Sequence, residues 1–189
     1  GDNTAVGANA MENVTTGTEN TAIGRSAMGS GSTTGNNNVA IGVSAGLFIS
    51  SGGDNILIGN FAGDNLDTGS RNVAIGRNAL SAENSEGRTV AVGYEALKSQ
   101  NASSDAYNIA IGYQAGRLIS TGTLNTIVGG LAGDQLTTGS TSVLLGYNSG
   151  GSLTIGSDNV AVGTYALDAE DEHGRNVAVG HETLGTLNA

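Results

Sequence analysis

Few residues in this chain could carry chemistry. His173 and His181 are its only histidines and it has no cysteine, so a nucleophile and an oriented base have almost no candidates. His181 directly follows a glycine, at a position that Arg25, Tyr94 and Thr164 occupy in related stretches; that pattern reads as a surface site rather than a base. Acids gather in two connections, 81–88 with Glu83 and Glu86, and 168–175 with Asp168, Glu170, Asp171 and Glu172. Paired carboxylates across a groove could cleave a glycan, yet nothing in the spacing of Glu83 with Glu86, or of Asp168 with Asp171, favours that chemistry. The second cluster also lacks the alternating Asp/Asn ligands and glycine of a calcium loop. Tyrosines are the other candidates. Tyr94, Tyr113 and Tyr147 directly follow glycines of one repeated motif, and Tyr165 comes one position later. Exposed rings in such a column could stack on sugars, with the phenol supplying a hydrogen bond; they could instead pack between subunits, since buried aromatics fill space more often than they bind ligands. Tyr94, Tyr113, Tyr147, Tyr165 and His181 are therefore the candidate receptor contacts, and no catalytic, cofactor or metal residue is expected.

The elements that must position these residues are set by an internal repeat. Asn72-Val73-Ala74-Ile75-Gly76 recurs as Asn20 to Gly24, Asn38 to Gly42, Asn108 to Gly112, Asn159 to Gly163 and Asn176 to Gly180, with weaker copies between. Eleven motif glycines result: Gly7, Gly24, Gly42, Gly59, Gly76, Gly93, Gly112, Gly129, Gly146, Gly163 and Gly180. Their spacing is 17 residues except for one step of 18 and one of 19. A fixed period of this length is the signature of a solenoid. The repeat fills residues 1–189, which are read as one domain.

Within a unit, the residues before the glycine are β-branched and form a short strand. The glycine makes a corner. A second segment follows, with an apolar residue seven positions on: Val14, Ile49, Leu66, Ile119, Leu136 and Leu153. Its polar neighbours suggest a second strand with one wet face. A Thr/Ser-Gly turn, as at Thr68-Gly69, then returns the chain to the next Asn. Four residues past the motif glycine the chain alternates in blocks: Met11 and Met28, Gly46 and Gly63, Leu80 and Leu97, then Gly116, Gly133 and Gly150, and finally Leu167 and Leu184. The connection 98–107 is longer than the others and lacks the turn glycine. No window has helical apolar periodicity free of glycine. The expectation is an all-β parallel β-roll, a β-solenoid of about eleven coils, on the order of 50 Å long at about 4.8 Å per coil.

The first strand is apolar on both faces, which normally means burial on both. Its second and fourth positions, such as Val73 and Ile75, share one face, and the third points the other way. A lone coil has one interior. The third-position ladder is therefore expected to face outward and be covered by further copies of the chain. That makes Ala40, Leu57, Ala74, Ala91, Ala110, Ile127, Leu144 and Ala161 the interface candidates, because an uncovered ladder of this size would be too large an apolar patch for a monomer.

The Asn-x-Ala-Ile-Gly pattern, with Ala or Ser three residues past the glycine, resembles the head repeats of trimeric autotransporter adhesins, the YadA-like heads. The longer form, as in Asn108-Ile-Ala-Ile-Gly-Tyr-Gln-Ala-Gly116, looks more like repeats of phage tail-fibre and tailspike proteins. The resemblance implies a homotrimeric fibre, outside the cell on a virion tail or bacterial surface, that presents a shaft or head to a host receptor such as a glycan. Two alternatives stay open: a monomeric solenoid binding a flat ligand such as ice, and a glycan-cleaving tailspike.

Composition narrows the partners. There are 17 acidic against 7 basic residues, for a net charge of −10, so a nucleic-acid backbone would be repelled. No apolar run approaches the length of a membrane span, and membrane insertion is not expected. No cysteine means no disulfide framework or thiolate metal site.

Overall fold

A computed structural model describes residues 1–85, 87–169 and 172–185. It is a parallel β-solenoid with one three-residue strand per coil: β1 (Thr4–Val6), β2 (Thr21–Ile23), β3 (Val39–Ile41), β4 (Ile56–Ile58), β5 (Val73–Ile75), β6 (Val90–Val92), β7 (Ile109–Ile111), β8 (Thr126–Val128), β9 (Val143–Leu145), β10 (Val160–Val162) and β11 (Val177–Val179). They form one sheet in sequence order. Register is strict, each motif position lying beside its equivalent one coil on, as in Leu57 beside Ala74.

Only one of the two expected strands forms. Past the motif glycine the chain runs through turns, and the second segment contributes a single isolated bridge, Val14 to Thr33. The cause is a recurring left-handed backbone. Residues two and four past each motif glycine, and the residue before the motif Asn from the second coil on, have φ near +55°, among them Phe61, Leu80 and Arg71. Such residues cost of order 1 kcal/mol or more outside glycine. Here each rotates an N–H along the stack to bond a neighbouring coil: Phe61 donates to the Val43 carbonyl, Leu80 to Ala96 and Arg71 to Gly53, all at 3.0 Å. The turns thus also bond coil to coil without extended geometry, alongside bonds within a coil such as Ala62 N–H to the Gly59 carbonyl at 3.2 Å.

The motif asparagines have a role that the sequence reading did not assign. Asn20, Asn38, Asn55, Asn72, Asn108, Asn125 and Asn159 are completely buried. Asn55 Nδ2 donates to the turn carbonyl of Gly69 at 2.9 Å, while its Oδ1 accepts the Asn72 backbone N–H at 2.9 Å. Each amide therefore closes its own coil and registers the next. Where Thr89 interrupts the ladder, Gln100 reaches in: its Nε2 donates to Thr89 Oγ1 at 3.1 Å and its Oε1 accepts from Asn108 Nδ2 at 2.8 Å.

The third-position expectation is corrected here. Ala40, Leu57, Ala74, Ala91, Ala110, Ile127, Leu144 and Ala161 are all fully buried inside the single chain, so they are core and not interface. The strand's second and fourth positions face outward instead. The interior is narrow, and one column of small side chains per strand fills it. Third-position residues lie against the column four past the glycine, both in their own coil and in the coil before. A Cβ on Gly46 would stand 2.9 Å from Leu57 Cδ1, and one on Gly63 2.7 Å from Leu57 Cδ2. Leu57, Ile127 and Leu144 are the third-position residues with glycine in both places; wherever Met or Leu occupies either, the third position is Ala. The column seven past the glycine varies with it: Ile49, Leu66, Ile119, Leu136 and Leu153 accompany glycine, and Gly31, Glu83 and Gln100 accompany Met28, Leu80 and Leu97, while Val14 beside Met11 in the first coil is the exception.

Candidate functional site

The outer strand face is the largest chemically uniform surface. Its 22 second and fourth positions, from Thr4 and Val6 to Val177 and Val179, hold 19 aliphatic residues, three threonines and no charge. All are partly or largely exposed, the most open being Val177 and Val179 at the last strand.

At one border of this face the motif glycine turns the chain. Its φ lies near +130° to +140°, and at Gly59 a Cβ would meet the Gly76 carbonyl oxygen at 2.6 Å, so no other residue fits the corner. The corner projects the next residue outward at a fixed height in each coil. Tyr94 and Tyr113, in adjacent coils, stack with centroids 5.5 Å apart and planes 9° from parallel. Tyr147 meets Tyr165 edge to face at 5.5 Å, and Tyr165 meets His181 edge to face at 6.5 Å. The five candidate contact residues thus form two clusters. Tyr94, Tyr113 and Tyr147 are open to solvent, Tyr165 is half-buried and His181 is exposed. Desolvation, followed by the influence of Tyr147, shifts the Tyr165 hydroxyl above its ordinary pKa.

The tyrosine stack has a polar support that sequence reasoning missed. Glu95 accepts from Lys98 Nζ at 2.8 Å and from Gln114 Nε2 at 2.9 Å. These hydrogen bonds, Lys98's first, hold its carboxyl down at about 2. Glu95 and Gln114 directly follow Tyr94 and Tyr113, so the network ties the two coils together beneath their rings. A second unforeseen aromatic, Tyr107, lies under the Arg88 guanidinium at 5.5 Å, and Arg88 pairs with Asp105. This cluster closes the long connection.

Of the acidic candidates, the structure describes Glu83, Asp168 and Glu172. Glu83 is buried in the core, accepting from Gln100 Nε2 at 3.1 Å, because its coil has Leu80 where others have glycine. Glu86, Glu170 and Asp171 lie outside the described residues. Asp168 accepts from Asn148 Nδ2 at 3.3 Å. Among the described residues no group of three His, Cys, Asp or Glu could hold a metal ion, and none forms a helix long and apolar enough to cross a membrane. Hydroxyls that a flat ligand would need are engaged within the stack: Ser120 Oγ donates to the Thr137 carbonyl at 3.1 Å and Thr137 Oγ1 to Thr154 at 2.8 Å.

Comparison with protein-family models, with curated proteins and with solved structures finds no match to this chain.

Proposed function

We propose that this chain is a non-catalytic structural segment of an extracellular fibre, built from three parallel copies, which extends from a virion tail or bacterial surface and offers its corners to a host receptor. The observation that carries the reading is the uncharged outer ladder of the sheet. At about 4.8 Å per coil it runs on the order of 50 Å, and two side chains abreast make it about 10 Å wide, or some 500 Å². That reaches the upper range of the largest patch on an ordinary monomer and, with its borders, approaches the roughly 800 Å² per partner of a stable interface. Strict parallel register gives every copy the same ladder, so identical chains are the simplest complement, and closed symmetry ends the assembly at a defined number. Three is the number implied by the resemblance of the Asn-x-Ala-Ile-Gly repeats. A rod of this kind multiplies weak contacts into avidity.

Native mass by light scattering tests it. The expected value is three times 18.6 kDa. A double variant, Ile58→Glu with Ile75→Glu, should drop the mass to one chain while leaving the β-sheet spectrum unchanged. A parent protein that is monodisperse at 18.6 kDa would refute the assembly.

A further inference from the structure

Two columns border the uncharged ladder, and between them they hold most of the chain's cations. One is the corner column, the residue directly after each motif glycine. The other stands five residues before that glycine, ahead of the strand. Together they make up 22 of 189 positions, yet they contain five of the six arginines and four of the five tyrosines. Arg25 and Arg77 lie on the corner side, and Arg71, Arg88 and Arg175 lie on the other; all five are exposed. Among the described residues Arg25, Arg71 and Arg77 form no ion pair with an acid of their own chain. Arginine and tyrosine gathered beside an uncharged strip is the composition of a contact surface.

We propose that these columns are mating rims: the corner column of one copy runs along the pre-strand column of the next, displaced by one coil. The inference rests on the ladder being the contact between copies, and it adds the residues that set their register. Rotation about an axis along the stack brings the end of one copy's strands to the start of its neighbour's, whatever the number of copies. At equal height Arg77 would face Arg71 of the next copy, and His181 would face Arg175. Displaced one coil toward the C-terminus, Arg77 would face Arg88. Displaced one coil toward the N-terminus, Arg25 faces Asp2, Arg77 faces Asp54 and His181 faces Asp158, and no like charges meet. Tyr94 then faces Arg71 and Tyr113 faces Arg88, and a guanidinium over a ring is favourable. The three acids are exposed. Asp54 accepts from Asn37 Nδ2 at 3.3 Å and keeps lone pairs for a second donor. A rise of about 4.8 Å across a face about 20 Å wide is a strand tilt of about 14°, and equal tilt in every copy lets the ring close. Pairs at a rim fix register and orientation more than affinity. The outer edge of the seam stays wet, so the corner rings remain open to the receptor.

The chain has no cysteine, so introduced pairs report the register directly. Asp54→Cys with Arg77→Cys, in the whole 189-residue chain, should cross-link between copies under mild oxidation. On a denaturing gel the protein should move from 18.6 kDa to multiples of that mass. Within one copy the two positions stand on opposite sides of a face about 20 Å wide, and a disulfide needs Cα atoms within about 7 Å. Arg71→Cys with Arg77→Cys, and Arg88→Cys with Arg77→Cys, probe the other two registers and should stay at 18.6 kDa. All four replaced side chains are exposed, so the fold tolerates their loss. Cross-linking of either control as fast as the first pair overturns the one-coil displacement. No cross-linking in any of the three, with the parent assembled by light scattering, overturns the rim pairing and leaves the ladder contact standing. A parent of one chain refutes the ladder contact, and the rim pairing falls with it.

Discussion

The interior packing rule makes a sharp prediction about coil four. Leu57 is fully buried between the glycines at 46 and 63, and Leu57→Ala removes side-chain volume that nothing can refill. Such truncations cost about 2–5 kcal/mol. At about 2–4 °C per kcal/mol for a chain of this size, melting should fall by roughly 4–20 °C. Gly63→Leu alone should also destabilise. Its backbone is not the obstacle, because φ is +53° there and also +53° at Leu80 in the same column. The obstacle is space: a Cβ at Gly63 stands 2.7 Å from Leu57 Cδ2 and 2.8 Å from Leu66 Cδ1, and overpacking of this kind costs about 1–3 kcal/mol or more. Combining Leu57→Ala, Gly63→Leu and Leu66→Gly rebuilds the arrangement of Ala22, Met28 and Gly31. The triple variant should recover to within about 2 kcal/mol of the parent, as volume-conserving repacking does. Urea unfolding followed by circular dichroism measures all four proteins. Additive losses in the triple variant would show that the three columns do not share one volume, and the rule would fail.

Two other outcomes follow from polar groups. Asn55→Ala strips the Asn72 N–H and the Gly69 carbonyl of their buried partners at 2.9 Å; at about 1–3 kcal/mol per orphaned group, it should lose about 2–6 kcal/mol, and amide exchange should accelerate first at Asn72. Glu95 has its pKa lowered from 4.5 to about 2 by Lys98, Gln114 and weaker contacts. A depressed carboxylate stabilises above its unfolded pKa and loses that contribution as pH falls through the folded one. Stability should therefore decline between about pH 4.5 and pH 2, and Glu95→Gln should flatten that part of a melting-temperature profile. An unchanged slope in the variant would remove Glu95 as its source.

Much of the fold can be read in the residues, because a repeat shows its period, its corner glycine and its short strand eleven times over. The count of strands per coil was not legible. Alternation around Ile49 and Leu66 suggests extension; Gly46 and Gly63 mark one left-handed position before them, but Phe61 and Arg71 are left-handed without being glycine and give no compositional warning. The inward face was misread for a related reason. Both faces of Val73-Ala74-Ile75 are apolar, and pattern alone cannot say which is inside. Volume can: Ala shrinks to fit beside Leu80 and expands to Leu57 where glycines make room, and only a packed interior imposes such compensation. At the candidate site, the tyrosine column was visible from spacing, whereas the bond between Glu95 and Gln114 joins residues 19 apart in the chain.

The corrected orientation strengthens the reason for assembly. A column of alanines on the outside is tolerable in water, but a ladder of 19 valines, isoleucines and leucines among 22 positions is not neutral. Charge is readily placed elsewhere on the same coils: Arg25, Arg77 and Glu182 stand at the corner beside it, and Glu19, Asp54, Arg71 and Arg175 precede the strands. Solvent-facing sheet positions that needed nothing but β-propensity would accept Thr, Lys or Glu at little cost. The absence of any charge across eleven coils is what a dry contact requires, since one buried unpaired charge costs several kcal/mol. The same partition separates the two proposed surfaces. The proposed partner chain would take the flat uncharged face, and the proposed receptor would meet the corner, where rings, amides and carboxylates lie.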